Sequence, residues 1–179
     1  MMTHKVVIAN SKGANCGKST SIRYVFEILS KRYPNGVKIL KPDNGIYNPQ
    51  EDVAAIIEIP QPKGEVVKVG IESMGDPGYA RPQESVDKFV AAGCEIILVA
   101  TRLKKPTIGC VTDLRDNYNW QVIWFDNSTM WVDDWCNKID ASGSRLANQD
   151  EQIQDKLSWD YAHYVSSLIE RLVLTGGVI

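Results

Sequence analysis

Gly17-Lys18-Ser19-Thr20 sets an ammonium and two hydroxyls side by side, directly after Gly13-Ala14-Asn15-Cys16. In that order these residue types suit one chemistry, the holding of phosphate. Backbone N–H groups of a glycine-rich turn converge on phosphate oxygens, a lysine neutralises their charge, and a hydroxyl takes a place on Mg²⁺. The full pattern is G-x-x-x-x-G-K-[ST]. Here Lys12 stands where its first glycine would be, and Gly13 follows one residue later. Lys18 is expected to reach the β- and γ-phosphates, Ser19 to ligate Mg²⁺ and Thr20 to add a second hydroxyl. Gly13, Ala14, Asn15, Cys16 and Gly17 would supply the cradle. At a loop–helix junction Lys18 is expected to be solvated.

A metal beside phosphates also calls for an acid at the mouth of another strand, acting through water. VVKVGIESMGDPG (residues 66–78) offers Glu72 at a strand end and Asp76 four residues on. The same stretch has turn chemistry in Gly75, Asp76, Pro77 and Gly78, residues that turns favour. Further along, LVATRLKKPTIG (98–109) leaves another strand with Thr101, Arg102, Lys104 and Lys105. These would close over phosphate or an acidic substrate, or form a solvated basic loop. Arg102 is the preferred member, because a guanidinium fork grips phosphate bidentately. Asn137-Lys138-Ile139-Asp140 fits the N-K-x-D guanine-reading pattern, but the expected buried strand does not lead into it.

Several elements must position these groups. Lys5 to Ala9 is a short apolar run suited to a buried parallel strand. Ile22, Val25, Phe26 and Leu29 stripe a helix over Ser19 to Arg32, which Pro34 and Gly36 end. Val37 to Leu40 is a strand, closed by the turn Pro42-Asp43-Asn44-Gly45. Val53 to Ile59 and Glu65 to Glu72 read as two strands of a hairpin. Pro82 to Ala92 is a helix with Gly93 past its end, Glu95 to Ala100 a strand, Thr107 to Asn117 a helix and Gln121 to Phe125 a strand. Residues 126–148 read as an ordered, irregular loop. Ile153, Leu157, Tyr161, Tyr164, Val165, Leu168 and Leu172 stripe a last helix from Gln149 to Leu174. Strands alternating with helices argue for one three-layer α/β domain over 1–179, with a mostly parallel sheet flanked by helices.

Composition narrows the classes. The 179 residues are 44% hydrophobic and 23% charged, as in an ordinary globular protein. No apolar run approaches the roughly 18 residues of a membrane span, and no secretory signal opens the chain. The net charge of −2, with both signs dispersed, gives no nucleic-acid footprint. Four spaced cysteines read as free thiols in a cytoplasmic protein, and two histidines are too few for a His-rich metal site. The five tryptophans read as core or loop anchors.

Three segments resemble the branch of P-loop NTPases that includes MinD/ParA-type ATPases, the nitrogenase iron protein and dethiobiotin synthetase. KGANCGKST is similar to that branch's lysine-bearing loop, although its signature lysine stands one position later than Lys12. VKILKPDNG resembles the strand-then-Lys-Pro of dethiobiotin synthetase, where the lysine reaches the reacting phosphate or substrate. IESMGDPG resembles the acidic-x-x-Gly segment closing the Walker B strand, with Asp76 where the iron protein has a second aspartate. The resemblance extends over residues 1–100 and implies the three-layer P-loop NTPase fold with ATP and Mg²⁺. It gives Glu72 the metal's water shell, Asp76 the attacking water or hydroxyl, and Lys41 or Arg102 the developing charge. Asn127 falls where related ATPases present an asparagine to adenine. The implied activity is an ATPase that switches on a protein partner, with a nucleotide-dependent homodimer in which Lys12 reaches across. The alternatives are a kinase or synthetase for a small acceptor, a GTPase, and a module that binds nucleotide without turnover.

Overall fold

The computed structural model describes residues 4–11, 18–62, 64–75, 81–101, 108–125 and 147–178, the side chains of 11 and 147–154 excepted. Six strands make one sheet: β1 (Val6–Ser11), β2 (Val37–Lys41), β3 (Ala54–Pro60), β4 (Val66–Glu72), β5 (Ile96–Thr101) and β6 (Gln121–Phe125). Among the described residues, four α-helices accompany it: α1 (Lys18–Arg32), α2 (Arg81–Ala91), α3 (Gly109–Tyr118) and α4 (Ala147–Thr175). The strand order is β2-β3-β4-β5-β1-β6. β1 lies parallel between β5 and β6, and β4 is parallel to β5. Only β3 runs against its neighbours, and β3–β4 is the expected hairpin, from Ala54 opposite Glu72 to Pro60 opposite Val66. The chain is an α/β domain with a mostly parallel sheet.

Side-chain alternation along the central strands feeds two separate cores. Val6 and Ile8 of β1, Val69 and Ile71 of β4, and Ile96 and Leu98 of β5 pack with Ile22, Val25 and Leu29 of α1 and Val165 and Ile169 of α4. Val7, Ala9, Ile97 and Val99 face the other way, against Val86 and Phe89 of α2 and Val111 and Leu114 of α3. Strands buried on both faces have no polar side to show, which is why β1 and β5 read as unbroken apolar runs.

α2 needs a glycine beneath it. A Cβ on Gly70 would sit 2.5 Å from Phe89 Cγ, and the Phe89 ring is fully buried. Gly70→Ala should therefore destabilise the protein by about 1–3 kcal/mol through overpacking. Chemical denaturation checks this, and an unchanged midpoint would mean that α2 slides freely on β4. The helix ends as expected at Gly93, with φ +77°. Cys94 N–H donates to Phe89 O at 2.9 Å and Gly93 N–H to Val90 O at 3.0 Å, a glycine-terminated helix end.

Val165 and Leu172 of α4 are buried as expected, and Tyr161 and Leu168 pack partly buried against the core, but the inner face is shifted. Ser158, Ala162, Val165, Ser166, Ile169, Leu172 and Val173 are buried, while Tyr164 is 62% exposed. Ser158, Ala162 and Ser166, at i, i+4 spacing, make a small buried ridge on this face. Counting large apolar residues alone shifts the face toward Tyr164, whose ring meets Phe125 edge-on at 5.8 Å. Tyr24 donates to Asp155, Tyr33 donates to Glu170 at 2.9 Å, and Arg32 pairs with Glu170 at 2.6 Å across the α1–α4 seam. Of the tryptophans, Trp120 is buried, whereas Trp124 and Trp159 lie at the surface. Cys94 and Cys110 are buried, and burial pushes each thiol up to about 12. No helix among the described residues is long and apolar enough to cross a membrane.

Candidate functional site

β1 and β5 are neighbours whose connections leave on opposite faces of the sheet. β1 leads to α1 on one face, and β5 leads to α3 on the other. Such a switch point opens a crevice at the carboxyl ends of the strands, where open α/β sheets hold ligands. The register sets Asn10 opposite Ala100 and Ser11 opposite Thr101 at that edge.

α1 begins at Lys18, so the positive end of its helix dipole stands at this edge. No acidic side chain occupies that turn to compensate it. Lys18 is only 7% exposed, which corrects the expectation of a solvated ammonium. Its four-carbon stem is apolar and packs into the junction. Ser19 and Thr20 are half-buried beside it. Thr20 Oγ1 accepts from Arg23 Nη2 at 3.1 Å.

Glu72 ends β4, two strand spacings or roughly 10 Å along the sheet from β1. Its side chain is fully buried and turned toward α2. Oε1 accepts from Met74 N–H at 2.8 Å, Ser85 Oγ donates to Oε2, and Arg81 Nη2 stands 3.4 Å from Oε1. Burial pushes the carboxyl up to about 7, against the opposing pull of Arg81, Ser85 and the Met74 amide. Arg81 also donates to Asp52 O at 3.1 Å. Ser73 Oγ donates to Asp52 at 2.9 Å and accepts from Val53 N–H at 2.8 Å, fastening the start of β3 to the end of β4. From there Gly75 passes over β5: a Cβ on it would lie 3.0 Å from Ala100 Cβ. The acidic-x-x-Gly spacing thus carries the chain from a buried acid back toward the crevice.

Lys41 is elsewhere. It ends the edge strand β2, four strand spacings or roughly 19 Å from β1. There it pairs with Asp43 at 2.7 Å and holds that carboxyl below its ordinary range. The structure does not bring Lys41 to Lys18. Gly13, Ala14, Asn15, Cys16, Gly17, Lys12, Asp76, Arg102, Lys104, Lys105, Asn127 and the Asn137–Asp140 segment lie outside the described residues.

Sequence reading passed over Asn10, Asp52, Ser73, Arg81 and Ser85, and offered Thr101 together with Arg102, Lys104 and Lys105 as a group that closes over phosphate or an acidic substrate or forms a solvated basic loop. The available signal was the polar residue at which each apolar run breaks, Asn10 after VVIA and Thr101 after IILVA. Among the described residues, no group of three or more His, Cys, Asp or Glu stands together as a metal site. No family model, no curated protein and no solved structure matches this chain.

Proposed function

We propose that this chain adopts the P-loop NTPase arrangement, binds ATP with Mg²⁺ over the β1–β5 crevice, and hydrolyses or transfers the terminal phosphate. One observation carries the reading. Lys18 and the positive end of α1 stand directly after β1 at the switch point, behind a sequence of phosphate-loop type.

Lys18 would then neutralise the β- and γ-oxygens, and the Ser19 hydroxyl would hold Mg²⁺. The donor set fits a cation that arrives with phosphate, since Mg²⁺ is commonly held by few protein oxygens plus phosphates and water. When bound, Mg²⁺ lends positive charge to the phosphate oxygens as charge develops there. Glu72, with both oxygens engaged by Met74, Ser85 and Arg81, would act through the metal's water shell rather than on the metal. Asp76 positions the attacking water or hydroxyl, Arg102 balances charge, and Asn127 addresses adenine. Lys41 is too far along the sheet to touch the same phosphate. The leading form of the activity is an ATPase that switches on a partner protein.

A thermal-shift panel of ATP, ADP, GTP and GDP with Mg²⁺ tests the binding. ATP should stabilise more than GTP. No shift with any nucleotide at millimolar concentration removes the reading, and a larger GTP shift transfers it to a GTPase. Turnover is tested separately. Asp76→Asn should keep its ATP shift and lose at least about tenfold in phosphate release, because its contact matters mainly in the transition state. Equal turnover would leave Asp76 a turn residue.

A further inference from the structure

Six buried side-chain atoms have no hydrogen-bond partner among the described residues: Asn10 Nδ2 and Oδ1, Arg81 Nε, Thr101 Oγ1, Tyr161 Oη and Ser166 Oγ. The last two belong to α4. Three of the other four are on Asn10 and Thr101, at the carboxyl ends of the adjacent strands β1 and β5, and the fourth is on Arg81, which opens α2 beside Glu72 at the end of β4. Asn10 and Thr101 are both 0% exposed. Their Cα atoms are diagonal neighbours on adjacent strands, roughly 6 Å apart by sheet geometry. Asn10 continues the row that faces α1, and Thr101 the row that faces α2 and α3. Together they flank the crevice from both sides of the sheet.

A buried polar group left unpaired costs about 1–3 kcal/mol. Strand interiors avoid it, and β1 before Asn10 and β5 before Thr101 are wholly apolar. What these residues offer is rich in donors: an amide NH₂, a hydroxyl and, next to Glu72, a guanidinium N–H. Set beside the Lys18 ammonium and the N-terminus of α1, that chemistry suits an oxyanion and not a bare cation, which would call for carboxylates.

We infer that Asn10 and Thr101 are direct contacts to the terminal phosphate, and that they discriminate a nucleoside triphosphate from a diphosphate. The inference rests on the nucleotide reading given above. Thr101 ends the strand between β1, which leads to Lys18, and β4, which carries Glu72. A group standing between those two reaches the phosphate that is transferred, not the one that remains with the nucleoside.

Removing the unpaired hydroxyl with Thr101→Val, nearly the same shape, should have two effects of opposite sign. The apo protein should be as stable as wild type or more so, because a buried unsatisfied group is gone. Affinity for a non-hydrolysable ATP analogue with Mg²⁺ should fall about tenfold or more, the loss of a hydrogen bond to a charged group. Affinity for ADP with Mg²⁺ should stay within about twofold of wild type, and Thr101→Ser should restore the ATP analogue's affinity. Calorimetric titration of the full chain with both nucleotides reads all three. If Thr101→Val binds the analogue like wild type, or weakens both nucleotides equally, the inference is overturned while the nucleotide site stands. If wild type binds neither nucleotide, the site itself falls, a failure visible before any variant is made. Should Thr101→Val not fold, Asn10→Ala carries the same comparison: a selective loss of the triphosphate supports the inference, and an equal or absent loss overturns it.

Discussion

Lys18→Met should keep the apo fold and lose most of the stabilisation that ATP and Mg²⁺ confer. Methionine keeps an unbranched apolar stem in a junction where Lys18 is only 7% exposed, and it removes the ammonium. At 100 times its Kd a ligand adds about 2.7 kcal/mol to stability. For a domain of this size that raises Tm by roughly 5–10 °C. Losing a charge-assisted contact worth about 1.5–3 kcal/mol weakens binding roughly 10- to 100-fold. At the larger loss and the same ATP concentration, the ligand adds only about 0.4 kcal/mol, or roughly 1 °C. Thermal scans of both proteins with and without 5 mM ATP and Mg²⁺ decide it, that concentration being on the order of 100 times a micromolar-range Kd. Equal shifts would mean that the loop opening α1 does not hold phosphate, and the functional reading would fail with it.

The elements themselves were legible because each rests on local pattern. The α1 stripe, the apolar runs of β1 and β5, Gly93 beyond α2 and the β3–β4 hairpin all follow from side-chain period and turn chemistry, and each is present in the fold. Strand order is not local. Nothing in the residues of β5 states that it lies between β1 and β4, yet that insertion makes Thr101 a wall of the crevice. Distance along the sheet is equally silent in sequence, and this separated Lys41 from Lys18. The α4 face was displaced because packing there uses Ser158, Ala162 and Ser166, small residues that a count of large apolar side chains ignores. The burial of Lys18 belongs to the same class of outcome. A charged side chain at a loop–helix junction defaults to solvent until the tertiary fold closes over its stem. Glu72 was placed at a strand end by its spacing, but its burial by α2 depended on the Ser85 and Arg81 contacts that only the folded chain assembles.

That burial makes Glu72 a source of pH-dependent stability. Its folded value of about 7 lies above the carboxyl's ordinary 4.5, with burial as the leading cause. The fold therefore holds the proton more tightly than the unfolded chain does. The resulting stabilisation is complete below the unfolded value and is lost as pH rises through 7. The full span is about 3 kcal/mol, and the part between pH 5.5 and pH 8.5 is about 2 kcal/mol. Other groups titrate over the same range, so the informative quantity is the gap between wild type and Glu72→Gln, measured without nucleotide. Glutamine has nearly the same shape, keeps an acceptor for the Met74 N–H, and carries no charge at any pH. Relative to that variant, wild type should lose about 2 kcal/mol between pH 5.5 and pH 8.5, or roughly 4–8 °C in Tm. Denaturant melts of both proteins at three pH values read it directly. A gap that is flat, or that moves in favour of wild type as pH rises, would mean that Arg81 at 3.4 Å holds the carboxylate ionised throughout. In that case Glu72 and Arg81 form a buried ion pair that locks α2 to the end of β4. A gap that moves as expected gives the edge of the crevice a carboxyl that gains and loses its proton near neutral pH.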